Sequence, residues 1–182
     1  LSLDHLARRQ GNPEILCMKD PLLTPLFFWV HHLFGDMVKL VTVVRNPHSV
    51  VRSRQEVIEK TGRAATLADI QAAAQEYMKS YQHLAAEQLK QSLFVLRYED
   101  LESPGVLADL RAFTGCADID PNQIWAETRD LTRDPAASAW GSPKYHGKID
   151  TKSRFEPLSP EFAAQVDRIC APMMQRFQYQ PH

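Results

Sequence analysis

The chain has 182 residues, 44% of them hydrophobic, which is enough for one ordinary domain with its own core. Its formal net charge of −1 gives no bulk attraction for nucleic acid or an anionic membrane. No apolar run nears the roughly 20 residues of a membrane span; the longest, Leu22 to Phe34, is broken by Pro25 and carries His31 and His32.

In chain order, EILCMK (residues 14–19) is a short apolar run fit for a buried strand. MVKLVTVV (37–44) predicts a second strand and SLFVLRY (92–98) a third. Between these two, Leu67, Ile70, Ala74, Tyr77, Met78, Tyr81, Leu84 and Leu89 recur at three- and four-residue steps. That spacing predicts an amphipathic helix whose aromatic side chains pack on the sheet. A helix over SPGVLADLRAFTG has Ser103 to cap it, Pro104 at its first position and Gly115 just past its end. SPEFAAQVDRICAPMMQRF repeats the Ser-Pro opening near the C-terminus.

Strand-helix-strand order predicts an α/β class: a parallel sheet with helices on both faces, a three-layer sandwich like the nucleotide-kinase folds. Residues 1–182 read as a single domain. The stretch 129–157, rich in Pro, Ser, Lys and Arg, is the one long irregular segment, of a length usually functional or disordered. Cys17, Cys116 and Cys170 have neither CxxC nor metal-type spacing and read as reduced, mostly buried thiols of a cytoplasmic protein. No signal-peptide pattern opens the chain. It begins without Met, so its true N-terminus is expected upstream.

The second strand ends on a fixed positive charge. Leu40, Val41, Val43 and Val44 lead straight into Arg45, followed by Asn46 and Pro47 and a helix carrying Ser49, Arg52 and Ser53. Ligands of open parallel sheets bind beyond the carboxyl ends of the strands. Asn46 is a good N-cap and Pro47 a good first helical residue, so free N–H groups open beside Arg45. Ser49 and Ser53, four apart, share one helix face. An arginine fork, a helix N-terminus and a hydroxyl together suit a phosphate-like anion. On spacing alone a second arrangement is equally good, with Arg45 paired to a carboxylate and Ser53 merely exposed.

VTVVRNPHSVVRS resembles the 3′-phosphate-binding segment of the sulfotransferase family: an apolar strand, Arg-Asn-Pro, two variable residues, then apolar residues leading to a Ser. The resemblance implies that Arg45 and Ser53 hold the 3′-phosphate of the donor, 3′-phosphoadenosine 5′-phosphosulfate (PAPS). ILCMKDPLLTPLFFW resembles the Lys-Asp-Pro strand end of bacterial and carbohydrate-type members. FVLRYEDLESPGVLADLRAFTG is similar to the family's strand-Tyr-Glu-Asp-Leu-helix unit, which implies that Tyr98 lies near the adenine. SRFEPLSPEFAAQVDRICAPMMQRFQY resembles the C-terminal segment of the same members, so the likeness runs over most of residues 14–179. The Arg-Asn-Pro and Tyr-Glu-Asp-Leu units are specific together and weak singly. The implied fold is the P-loop-NTPase-like sulfotransferase fold.

The sequence departs from the family in one respect. A Gly/Ser/Thr-rich phosphosulfate loop belongs upstream of these segments, and no such loop is present in this sequence. The expectation is a domain incomplete at its N-terminus, lacking that strand-loop-helix and dependent on it for activity.

Sulfuryl transfer needs in-line positioning, neutralised donor oxygens and a base for the acceptor. Lys19 supplies charge in this reading and Asp20 is the candidate base, against a cap or ion pair for Asp20. Pro21 stands where many cytosolic members have a His, which excludes a His base by direct transfer. His31 and His32 read as partly buried structural histidines. Tyr98 either packs on adenine or is a core tyrosine, and Glu99 and Asp100 organise the turn and the helix after it. Lys144, Lys148, Lys152 and Arg154 stand close together around one Gly. Lys148 and Arg154 are candidates to fold over the 3′-phosphate, against a solvated basic loop.

The expected reaction moves a sulfuryl group from PAPS to a hydroxyl or amine of a small-molecule or carbohydrate acceptor, with no metal and no nucleic-acid partner. Two rivals remain: a nucleotide or small-molecule kinase of similar fold, or a non-catalytic module binding a phosphonucleotide or a protein. Acceptor identity and oligomeric state are not legible in the sequence.

Overall fold

The computed structural model of the chain describes Arg8, Gly11, Ile15, Cys17 and residues 23–101, 103–116 and 156–181. The strand expected over 14–19 and residues 129–155 of the irregular segment lie largely or wholly outside these residues. So do Lys19, Asp20, Lys148 and Arg154.

The described elements are helix α1 (Phe27–Phe34), strand β1 (Leu40–Val44), helices α2 (Pro47–Lys60) and α3 (Leu67–Tyr81), strand β2 (Leu93–Arg97), and helices α4 (Pro104–Thr114) and α5 (Pro160–Arg176). β1 and β2 pair in parallel, in register from Leu40 with Leu93 to Val44 with Arg97. A parallel pair needs a long crossover, which α2 and α3 supply. The architecture is α/β.

Leu40, Thr42 and Val44 are buried on one face of β1, while Val41 and Val43 on the other are 37% and 44% exposed. The expectation of a strand covered on both faces is thus corrected to a strand buried on one face. The reason lies in the cover. α2, α3 and α5 close one face into a single core with Val44, Val51, Ile70, Ala74 and Val166. On the other face α4 packs on β2, with the Phe94 and Phe113 rings 5.4 Å apart.

The helices start where local chemistry directs. The Asn46 side chain accepts the His48 amide at 2.9 Å and Pro47 follows it, fixing the first turn of α2. Thr66 and Asp69 cap α3 reciprocally, each side chain accepting the other's amide. Arg63 grips Asp69 through two 2.8 Å bonds and, with the Thr66 bonds, holds its carboxyl well below the usual range. Ser159 accepts the Phe162 amide and starts α5, whereas Ser103 stands at the N-cap of α4 without a side-chain cap bond. Gly115 ends α4 at φ 75°, the left-handed turn a glycine makes without a Cβ clash.

The long helix expected after residue 66 ends at Tyr81 and continues as short 3-10 turns, through which Leu84 and Leu89 still reach the core. α3 and α5 form the most extensive helix pair. The Cys170 thiol donates to the Ala74 carbonyl at 3.7 Å, and burial pushes it up to about 12. All three cysteines are free, but Cys170 alone is buried, which corrects the expectation of mostly buried thiols. Among the described residues no helix is long and apolar enough to cross a membrane.

Candidate functional site: the carboxyl end of β1

Arg45 leaves β1 half-buried, and its peptide link to Asn46 is held from both sides. The Arg45 carbonyl accepts the Tyr77 hydroxyl at 3.0 Å, and the Asn46 amide donates to Glu99 Oε1 at 2.9 Å. The guanidinium lies over the Tyr98 ring, 4.7 Å from its centroid. Among the described residues no carboxylate pairs with Arg45. The ion pair left open from spacing is therefore not seen among the described residues.

α2 opens directly beside it. Its dipole favours negative charge at this end. Ser53 lies two turns on, half-buried, with no hydrogen bond to its hydroxyl among the described residues. Arg52, also on α2, is committed elsewhere: its Nε donates to the Glu156 carbonyl at 3.1 Å, and Nη1 lies 3.3 Å from Glu59 Oε2. His48 Nε2 stands 2.7 Å from Asp167 Oδ1, tying α2 to α5.

Tyr98–Asp100 form one 3-10 turn after β2. Asp100 Oδ2 faces back to Arg97 Nε at 3.4 Å. Glu99 does not serve the following helix as expected; Oε1 takes the Asn46 amide and Oε2 accepts the Tyr179 hydroxyl at 2.8 Å. Burial, reinforced for Tyr179 by Glu99, pushes the Tyr77 and Tyr179 phenols well above their ordinary value.

The structure therefore brings Arg45 and Tyr98 into contact and sets Ser53 on the helix that Arg45 opens. His31 is half-buried as expected, whereas His32 is exposed, its ring stacked against Phe28 at 6.5 Å, which corrects the expectation that both are partly buried. Sequence reasoning missed Tyr77, Glu99 and Tyr179 as supports of this turn. Tyr77 was hidden in the core stripe of α3; Glu99, next to the singled-out Tyr98, was the legible signal. Among the described residues, no group of three or more His, Cys, Asp or Glu is placed to hold a metal ion.

Comparison with known proteins fits this geometry. A family model described as "Sulfotransferase family" matches residues 1–119. The solved sulfotransferase domain from the curacin biosynthetic pathway superposes with a TM-score of 0.61 at 22% identity, over 98% of this chain and 68% of that one. At that identity the likeness speaks for the fold alone. No curated protein matches the chain. With the family match spanning more than half its length, and the α/β fold already described, the chain belongs to the sulfotransferase family.

Proposed function

We propose that the chain uses PAPS as donor and that Arg45 anchors the donor's 3′-phosphate. The observation carrying this is the Arg45 guanidinium, uncompensated among the described residues, at a strand end beside a helix N-terminus. A dianionic phosphate fits such a place, because a fork of N–H donors and a helix dipole converge there. Ser53 adds a hydroxyl to the same anion, and Tyr98 carries the guanidinium beneath it.

The donor supplies an activated sulfuryl group, and the chain's residues hold it and take the acceptor's proton. Lys19 neutralises donor oxygens, Asp20 accepts the proton of an acceptor hydroxyl or amine, and Lys148 and Arg154 close over the 3′-phosphate. The acceptor is a small molecule or carbohydrate, and no step needs a metal.

Calorimetry with 3′,5′-bisphosphoadenosine and with adenosine 5′-monophosphate (AMP) tests the anchor. The bisphosphate is expected to bind at least about tenfold tighter, the worth of one charge-assisted hydrogen bond. Equal affinities overturn the reading. For the base, Asp20→Asn is expected to keep nucleotide affinity and lower turnover by about 10²–10⁴. A folded Asn variant with near-normal turnover would end Asp20's candidacy.

A further inference from the structure

We infer that Glu99 is a positioning residue for Arg45, clamping the anion-binding turn to the C-terminal end of the chain. The inference rests on the reading of Arg45 as the phosphate anchor. An arginine recognises phosphate through a planar fork, so its worth depends on how well the backbone beneath it is fixed. Here the Arg45–Asn46 peptide group is held at both ends. Tyr77 holds its carbonyl at 3.0 Å and Glu99 holds its N–H at 2.9 Å, from opposite ends of the same planar unit. Tyr98, the residue before Glu99, carries the guanidinium. Two consecutive residues thus set the side chain of Arg45 and the amide that follows it.

Glu99 is itself set by Tyr179. One carboxylate oxygen is spent on Asn46, and the Tyr179 hydroxyl donates to the other at 2.8 Å. Tyr179 reaches that oxygen because α5 ends in a Schellman turn. The Tyr179 amide donates to the Met174 carbonyl at 2.9 Å and the Gln178 amide to the Gln175 carbonyl at 3.3 Å. Gln178 stands at φ 58° in that turn, a conformation costly for any residue with a Cβ. A strained turn therefore folds Tyr179, 6% exposed, back into the core. The chain of contacts runs Gln178, Tyr179, Glu99, Asn46, Arg45.

The function of Glu99 in this arrangement is geometric, and its charge opposes the anion bound nearby. Glutamine keeps an acceptor for the Asn46 amide and a donor for the Tyr179 oxygen while removing the negative charge. Glu99→Gln should therefore bind 3′,5′-bisphosphoadenosine at least as tightly as the native chain. Glu99→Ala should bind it about tenfold more weakly, with AMP affinity within about twofold. Tyr179→Phe, which deletes one oxygen and preserves packing, should lose about threefold on the bisphosphate alone.

The ligand-free readout is exchange of the Asn46 amide with solvent, followed by NMR. It should quicken by about tenfold or more in Glu99→Ala and stay slow in Glu99→Gln. A folded Glu99→Ala chain with native amide exchange, or a Gln variant as impaired as Ala, overturns the inference. Should Glu99→Ala fail to fold, Tyr179→Phe and Glu99→Gln decide by the same two readouts. If the native chain does not distinguish bisphosphate from AMP, the phosphate reading fails. The amide exchange still reports whether Glu99 fixes the turn.

Discussion

Both described strands finish beside an arginine stacked on a tyrosine, and the two arginines differ in their carboxylate partners among the described residues. Arg45 follows β1 and lies 4.7 Å over Tyr98; Arg97 ends β2 and lies 4.8 Å over Tyr179. Arg97 also has Asp100, with Oδ2 3.4 Å from its Nε, whereas Arg45 has no carboxylate among the described residues. Arg45 additionally opens a capped helix, which Arg97 does not. In the proposed function, the arginine paired with a carboxylate is assigned to structure and the one without such a pair among the described residues to the ligand. Cation–π contact alone does not separate the two, since both make it.

The comparison breaks most readily at the charge of Arg45. Arg45→Glu is expected to weaken 3′,5′-bisphosphoadenosine by about 100-fold or more, roughly 3 kcal/mol, with the fold retained and a stability loss limited to about 0.5–1 kcal/mol for the cation–π contact with Tyr98. Arg97→Ala should show the reverse pattern in a thermal melt and a titration. Stability should fall by about 1 kcal/mol, the sum of a cation–π contact and a partly exposed ion pair, with nucleotide affinity unchanged. Tyr98→Leu takes away the platform of Arg45 and should cost about 0.5–1 kcal/mol of bisphosphate affinity. An equal loss for AMP would move Tyr98 from the arginine to the adenine.

Two smaller effects sharpen the Arg97 side. Gln178→Gly relieves the left-handed strain before Tyr179 and should stabilise the chain by about 0.5–1 kcal/mol, read as a rise of about 1–4 °C in melting temperature. Tyr179 also predicts a pH dependence. Its folded phenol holds its proton above the ordinary value of 10.0, so the unfolded chain loses that proton first. Stability is therefore full below pH 10 and declines as pH rises beyond it. Denaturant melts at pH 9 and 11 should show a shallower decline for Tyr179→Phe, which has no phenol at 179 to ionise.

The strand-end logic was legible in the sequence because it is local. Val44, Arg45, Asn46 and Pro47 are consecutive, and a hydrophobic run, a fixed charge, a cap and a helix start need no tertiary information. The glycine at 115, just past the end of α4, is local in the same sense. Glu99 stands beside the singled-out Tyr98, but which groups the three supports hold was not legible, because each arrives from far along the chain. Tyr77 and Glu99 lie 32 and 53 residues from the groups of the turn they hold, and Tyr179 lies 80 from Glu99. Periodicity marks Tyr77 as core but says nothing of where its hydroxyl points. The half-exposed face of β1 was hidden for a related reason: Val41 and Val43 are apolar whether or not a helix covers them.

The central claim is that Arg45, and not Arg97, carries the recognition of a 3′-phosphate. Calorimetry of 3′,5′-bisphosphoadenosine and AMP on the native, Arg45→Ala and Arg97→Ala chains measures it directly. The account predicts that Arg45→Ala loses about 1.5–3 kcal/mol on the bisphosphate and almost nothing on AMP, while Arg97→Ala matches the native chain on both. Equal losses on the two nucleotides in Arg45→Ala, or a bisphosphate-specific loss in Arg97→Ala, would contradict it.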